Sequence, residues 1–265
     1  MIRLVAFDLD GTLIGRDLVL SKRVCDAVAR MQQAGVAGCI VTGRMYRASV
    51  PFARELRFDA PLICYQGAAV IDPATDEVLA HTALGPAVVH ELIGFCEARG
   101  VHLQLYRNDE YYCEARNRFS DLYASLAKTE PVVVPSLRET FAYSGATKAV
   151  AIADPPEAEA RAGELASLLG DRAYVTRSLP EFVEVLDPKT DKGDALRFVA
   201  ARMNVAMENV AAIGDSWNDR PLLQAAKLRI AMGSSPPELR ELAHAVVGDV
   251  AADGVAEAIY RYVLA

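Results

Sequence analysis

Four strings in this chain of 265 residues place reactive side chains where an apolar run stops. The first is Phe7-Asp8-Leu9-Asp10-Gly11-Thr12-Leu13, at the end of a β-prone run from Ile2. Two carboxylates at the carboxyl end of such a strand sit where open parallel sheets bind ligands. A solvated strand-to-turn junction, where Asp and Gly are at home, is the simpler alternative for this string alone. The second, Ile40-Val41-Thr42-Gly43-Arg44, runs a strand into a hydroxyl and a glycine, with Thr42 either an anion donor or the N-cap of the next helix. In the third, Asp187 to Leu196, Lys192 stands at the mouth of a helix, where a cation opposes the macrodipole unless an anion lies near it. The fourth, Ile213-Gly214-Asp215-Ser216-Trp217-Asn218-Asp219, is a strand followed by an acidic loop. Carboxylates, a lysine and a threonine gathered at one sheet edge are the groups that acid–base chemistry on an anion requires. Turn formation alone does not call for all of them.

The elements that must position these groups follow from periodicity. Ile2 to Asp8 reads as a strand, and Ser21 opens a helix with Val24, Val28 and Met31 on one face, stopped by Gly35. Val36 to Val41 and Pro61 to Tyr65 read as further strands, with a helix after Met45 between them, which makes βαβ units and a parallel sheet. The rhythm returns late in the chain, with a helical stripe of Ala195, Leu196, Val199, Ala200 and Met203 and strands at Val210 to Ile213, Leu228 to Ala231 and Ala245 to Val247. Short helices are expected from Asp219 to Ala226 and from Asp253 to Leu264. Between the two halves, tyrosines and phenylalanines cluster and helices alternate with strands in a separate pattern. The expected fold class is α/β: a doubly wound, Rossmann-like parallel-sheet core of residues 1–83 and 188–265 with an α/β domain, 84–187, inserted in it.

Composition narrows the function classes. A hydrophobic share of 52% excludes disorder. No apolar run approaches the roughly 18 residues of a membrane helix, and Asp8 and Asp10 interrupt the amino-terminal apolar segment, so a cytoplasmic protein without membrane contact is expected. With 28 Lys and Arg against 35 Asp and Glu, the net charge of −7 argues against a broad nucleic-acid surface. The five cysteines are scattered and odd in number, which fits reduced core residues. A monomer or a homodimer is expected.

Taken in order, the four strings resemble the signature motifs of the haloacid dehalogenase superfamily of phosphohydrolases. Thr42 and Lys192 stand 150 positions apart but Asp10 and Thr42 only 32, so a large insert must follow the second motif. That placement, with Lys-Gly-x-Ala-Leu from Lys192 and Gly-Asp-x-x-Asn-Asp from Gly214, resembles the Cof-type branch, whose α/β cap occupies that slot. The chain departs from the branch at Gln66-Gly67-Ala68, where Asn-Gly-Ala is usual, at Leu222-Leu223 and at Ser234-Ser235; these departures bear on substrate choice.

The resemblance implies a Mg²⁺-dependent phosphomonoesterase that hydrolyses small phosphorylated metabolites through an aspartyl-phosphate. A phosphate monoester is a dianion, and a carboxylate can attack it only where a cation and fixed donors neutralise both. By the same resemblance, Asp8 is the nucleophile and a metal ligand. Asp10 is a ligand through its main-chain carbonyl and the general acid–base, and Asp215 is the remaining ligand. Thr42, Gly43, Lys192 and Asn218 would hold the phosphoryl group, while Arg44 is either a further phosphate contact or a surface arginine. Asp219 either orients Lys192 or a metal-bound water, or caps the following helix. The cap would choose the substrate, with Arg107, Tyr111, Tyr112, Arg116 and Lys148 offering donors and flat faces to a sugar ring, a nucleotide, pyridoxal phosphate or a flavin mononucleotide. One of Glu181 and Glu184 is expected to face the cleft. His81, His90 and His102 lack a metal-ligand spacing. The alternative from another class is a non-catalytic phosphometabolite-binding or regulatory protein; it would show a replaced Asp8, Asp10, Thr42, Lys192 or Asp215, and none is replaced.

Overall fold

The computed structural model describes residues 1–265. The chain first makes β1 (Leu4–Phe7), α1 (Lys22–Gln33), β2 (Ala37–Ile40), α2 (Tyr46–Glu55), β3 (Leu62–Cys64), β4 (Ala69–Ile71) and β5 (Val78–His81). It continues through α3 (Pro86–Arg99), β6 (His102–Arg107), β7 (Glu110–Cys113), α4 (Arg118–Ala127), β8 (Val132–Val133), α5 (Leu137–Thr140), β9 (Lys148–Ile152), α6 (Pro155–Leu169), β10 (Tyr174–Arg177) and β11 (Phe182–Leu186). It closes with α7 (Lys192–Arg202), β12 (Val210–Gly214), α8 (Arg220–Ala225), β13 (Leu228–Ala231), α9 (Pro237–Leu242), β14 (Ala245–Val246) and α10 (Gly254–Ala258). No helix is long and apolar enough to cross a membrane.

Two compact units result: Met1–Gly43, Ser49–Ala80 and Asp191–Ala265 form one, and Arg44–Ala48 with His81–Thr190 form the other. The edges differ from the expected 84 and 187 because Leu84 bridges to Ala146 and the Asp187–Thr190 turn closes on itself, both inside the second unit. Residues 44–48 also join the second unit, where the Tyr46 and Arg47 N–H groups both donate to the Asp109 carboxylate at 2.9 Å.

In the first unit, five parallel strands lie in the order β14-β13-β12-β1-β2. Phe7 pairs with Ile213 on one side and Ile40 on the other, so the residues after these three strands emerge level with one another. The chain leaves β1 toward β2, while the later strands stack on its other side. The reversal lies between β1 and β12, the place where doubly wound sheets open a ligand crevice. Helix α1 starts because the Ser21 hydroxyl accepts from Val24 N at 3.1 Å, and it buries Val24, Ala27, Val28 and Met31 at helical spacing. On the α7 side, Leu4, Ala6, Cys39, Leu196, Val199, Leu222 and Leu223 close a core.

Two expectations change here. The Pro61 to Tyr65 segment is not a laddered member of the parallel sheet: β3 pairs antiparallel with β4 in a separate sheet, and it meets the parallel set at a parallel Val41–Ile63 bridge and in the packing of Ile63 beside Cys39 and Val41. The last helix is α-helical only to Ala258, then widens into a π turn over Ile259–Val263.

The second unit is a six-stranded sheet, β10-β11-β9-β6-β7-β8, antiparallel except for the β7/β8 pair. Leu103, Leu105, Ala149, Ala151, Val183 and Val185 alternate onto one face and pack with Val89, Leu92 and Phe95 of α3 and Leu165 of α6. Residues of the opposite register, Tyr106, Lys148 and Glu184, are buried as well. The side chains expected as substrate donors are engaged within this unit. Lys148 Nζ lies 3.4 Å from Glu184 Oε2 with both buried, Tyr111 donates to Thr129 O, Tyr112 to Glu110, Arg107 to Ser144 and Thr140 O, and Arg116 pairs with Asp121 and Glu130.

Candidate active site

Asp8 follows β1 directly and Asp215 follows β12, so the register that levels Phe7 with Ile213 also brings the two carboxylates to one edge. One ligand oxygen each from Asp8, Asp215 and Asp219 lies within 4.8 Å of the others. Lys192, on the first turn of α7, reaches into this cluster: its Nζ donates to Asp8 Oδ1 at 2.8 Å and to Asp219 Oδ1 at 2.6 Å. The anions that a lysine at a helix mouth calls for are these two carboxylates. Burial works against the Lys192 charge, but Asp219 and Asp8 outweigh it and raise its pKa.

The carboxylates feel the opposite imbalance. Burial, then Asp219, push Asp8 well above the usual carboxylate range, with Lys192 opposing and Asp215 adding to the rise. Burial and Asp219 likewise carry Asp215 to about 7. With all three carboxylates ionised, the one ammonium leaves the cluster two negative charges in excess, which is what the raised values resist. An all-oxygen donor set with that excess, in a buried place, suits a hard divalent cation.

Asp219 divides its oxygens. Oδ1 takes Lys192, and Oδ2 accepts from Asp215 N at 3.0 Å and Ser216 N at 3.1 Å, closing a capping box with Ser216. Of the two sequence alternatives for Asp219, the contact with Lys192 is present, whereas the side chain shapes the preceding loop and does not cap α8. Gly214 allows this, because a Cβ there would meet Asp219 Cβ at 2.7 Å. Gly11, at φ +83, lies so close that a Cβ would come within 2.4 Å of Asp215 Oδ2. Thr12 Oγ1 donates to Asp215 Oδ1 at 3.4 Å.

Thr42 is buried after β2; its N–H donates to Ile63 O at 2.8 Å, and its carbonyl accepts from Gln66 N at 3.0 Å. It is not an N-cap, since α2 begins only at Tyr46. A Cβ on Gly43 would meet Gln66 Nε2 at 2.3 Å, and Asn218 Nδ2 donates to Gln66 Oε1 at 3.1 Å. Asn218 Oδ1 is buried without a partner. Gln66 thus joins the second and fourth motifs, a role that the sequence reading missed. Its signal was the departure at Gln66-Gly67-Ala68, and its place depends on left-handed backbone at Tyr65 and Gln66, φ 52 and 60. Asp10 is exposed beside Asp8. Arg44 belongs with the second unit, where its guanidinium donates to Leu126 O at 3.0 Å.

A family model of haloacid dehalogenase-like hydrolases matches residues 5–259. The pyridoxal phosphate phosphatase YbhA of Escherichia coli is 29% identical over 271 residues, covering 99% of each chain. The 5-amino-6-(5-phospho-D-ribitylamino)uracil phosphatase YitU of Bacillus subtilis is 27% identical over 264 residues, covering 98% of this chain and 97% of its own. Among solved structures, a haloacid dehalogenase-like hydrolase from Bacteroides thetaiotaomicron matches with a TM-score of 0.89 and 27% identity, over 98% of this chain and 99% of that one.

Proposed function

Because the chain belongs to the haloacid dehalogenase-like hydrolases and is a phosphatase among them, we propose that it is a Mg²⁺-dependent phosphomonoesterase. Its proposed substrates are small phosphorylated metabolites, among sugar phosphates, nucleotides, pyridoxal phosphate and flavin mononucleotide-like compounds, and its route an aspartyl-phosphate. One observation carries this reading: Lys192 Nζ joins Asp8 to Asp219 inside a three-carboxylate cluster at the point where the strand order reverses.

Asp8 and Asp215 would hold Mg²⁺ with their carboxylates and Asp10 with its main-chain carbonyl, while Asp219 has both oxygens committed to Lys192 and the loop. Bound there, the cation neutralises the nucleophile and the phosphoryl oxygens that must meet. The Asp8 carboxylate attacks phosphorus, forming the acyl-phosphate bond as the ester P–O bond breaks, and the Asp10 carboxyl gives its proton to the departing oxygen. Asp10, now ionised, takes a proton from water; the hydroxide attacks phosphorus, the Asp8–phosphorus bond breaks and inorganic phosphate leaves. Lys192, the Thr42 hydroxyl and the Gly43 N–H stabilise the phosphoryl oxygens, with Asn218 as a further donor. The inserted second unit would choose among leaving groups. Pyridoxal phosphate and a uracil-bearing phosphate, named for the two relatives, are the first compounds to try.

The test is phosphate release from pyridoxal phosphate, nucleotides, flavin mononucleotide and sugar phosphates, each with Mg²⁺ and with chelator. The expected result is Mg²⁺-dependent release that Asp8→Asn abolishes together with the acyl-phosphate. Near wild-type turnover in Asp8→Asn would sink the mechanism.

A further inference from the structure

The turn Tyr65–Gly67, between β3 and β4, touches three of the four motif strings, and it does so inside the first unit. Gln66 N donates to Thr42 O at 3.0 Å, which ties the turn to the second string by main chain alone. A Cβ on Gly67 would lie 2.5 Å from Asp191 O and 3.1 Å from Lys192 N, so the turn also abuts the mouth of α7. The Gln66 side chain occupies the room that a side chain on Gly43 would need, with Nε2 2.3 Å from where that Cβ would stand. Its other end, Oε1, accepts from Asn218 Nδ2 at 3.1 Å. Gln66 is 2% exposed and Asn218 9%. Tyr65 and Gln66 hold left-handed backbone, φ 52 and 60, which residues with a Cβ adopt at a cost and keep only where their surroundings over-determine it. An apolar side chain of similar volume would fill the space beside Gly43 as well. What it could not do is hold the Asn218 amide, whose Oδ1 is buried without a partner and whose rotation the Gln66 contact alone fixes by hydrogen bonding.

We infer that Gln66 is a positioning residue of the phosphoryl site: it sets the rotation of the Asn218 amide and its distance from Thr42 and Gly43, so that donors of the second and fourth strings reach one phosphoryl group together. This role rests on the phosphatase reading, in which Thr42, Gly43 and Asn218 hold that group, and adds to it a side chain that acts through them. With one N–H of Nδ2 held by Gln66, the other remains for a phosphoryl oxygen. An amide free to turn would offer its carbonyl oxygen as readily as its nitrogen, and that end repels an anion.

A double-mutant cycle in kcat between Gln66→Leu and Asn218→Ala tests this, on the phosphate ester that the parent protein hydrolyses fastest and with saturating Mg²⁺. Each single change should lower kcat by about tenfold to a hundredfold. The double variant should fall no more than about twofold below Asn218→Ala alone, because Gln66 acts through Asn218. The Mg²⁺ concentration giving half the maximal rate should stay at the parent's value in Gln66→Leu, whereas a general loosening of the carboxylate cluster would raise it. Losses that multiply in the double variant overturn the proposal, and so does a Gln66→Leu protein whose turnover stays within about twofold of the parent's. Should Gln66→Leu not fold, Gln66→Asn, whose amide stops one methylene short, takes its place in the same cycle. If the parent releases phosphate from no ester, the phosphatase reading fails, and calorimetric binding of inorganic phosphate with Mg²⁺ decides the role of Gln66 on the same variants. Affinity losses that do not add uphold it; losses that add, or no binding to the parent, overturn it.

Discussion

Lys192 does two jobs with one atom, since Nζ neutralises Asp8 and Asp219 while both are out of water. Removing one member of a buried ion pair leaves an uncompensated charge and costs about 3–5 kcal/mol. Lys192→Met, which keeps the stem, should lower the free energy of urea unfolding in chelator by that amount, and Mg²⁺ should return part of it by replacing the lost positive charge. A loss below about 1 kcal/mol, the range of a solvent-screened pair, would show that the ammonium is not what balances the cluster. Asp10 divides differently, because its proposed metal ligand is main chain and its proposed proton carrier is the side chain. Asp10→Asn should reduce turnover by about a hundredfold or more while calorimetry gives an unaltered Mg²⁺ affinity; joint loss of both would put its carboxylate on the metal. That Asp8, Lys192 and Asp215 would meet was legible because each stands at the end of an apolar run or at the mouth of a helix. Gln66 was marked only as a departure, since the two consecutive left-handed residues that turn it toward Asn218 cannot be read from residue type.

At the scale of elements, α4 shows how a helix start becomes sensitive to acid. Asn117 Oδ1 accepts from Phe119 N at 2.9 Å and Ser120 N at 3.1 Å, and Asn117 Nδ2 lies 3.1 Å from His102 Nδ1 on β6. Burial lowers the His102 pKa to about 4, and an imidazolium there would also face the positive end of the α4 dipole. Because the folded pKa is depressed below the unfolded value of 6.5, the stability that His102 contributes is fully present above that pH and is lost as pH falls through about 4. His102→Phe keeps the stack on Phe119 and removes the titration. Its unfolding free energy should decline less between pH 7 and pH 4 than that of the parent, by on the order of 1–2 kcal/mol. Parallel curves for the two proteins would mean that His102 charges without penalty. The strands and helices around this pair were readable from apolar periodicity, as was the parallel rhythm of the first unit. Pairing was less so: β3 has the same apolar look as β2, and only the return of the chain at Gly67 through β4 sends it into an antiparallel hairpin. Likewise, Lys148 read as a donor to the substrate and Glu184 as a candidate to face the cleft, because nothing local says that strands distant in the chain will bury them against each other.

At the scale of the whole molecule, the two units have separate hydrophobic cores, one around Leu4, Leu196 and Val199 and the other around Leu92, Leu105 and Phe141. The carboxylate cluster belongs entirely to the first, since Asp8, Asp215, Asp219 and Lys192 all lie within it. A cation that binds only the folded first unit stabilises it by mass action, by about 2.7 kcal/mol at a hundred times its dissociation constant. None of the residues that would hold the cation belongs to the second core. Mg²⁺ should therefore slow amide exchange selectively in β1, in β12 and in the loop from Gly214 to Asp219, where the repulsion among the carboxylates is relieved. Exchange in β6, β9 and β11 should keep its rate. Hydrogen exchange with and without Mg²⁺, read segment by segment, separates the outcomes. Protection rising equally in both units would mean that they unfold as one body, and no change near Asp8 and Asp215 would remove the cation from the site. Asp215→Asn supplies the control, because it discharges part of the cluster without the metal and should slow exchange in the same loop in chelator at pH 8, where the Asp215 carboxylate, raised to about 7, would otherwise be ionised.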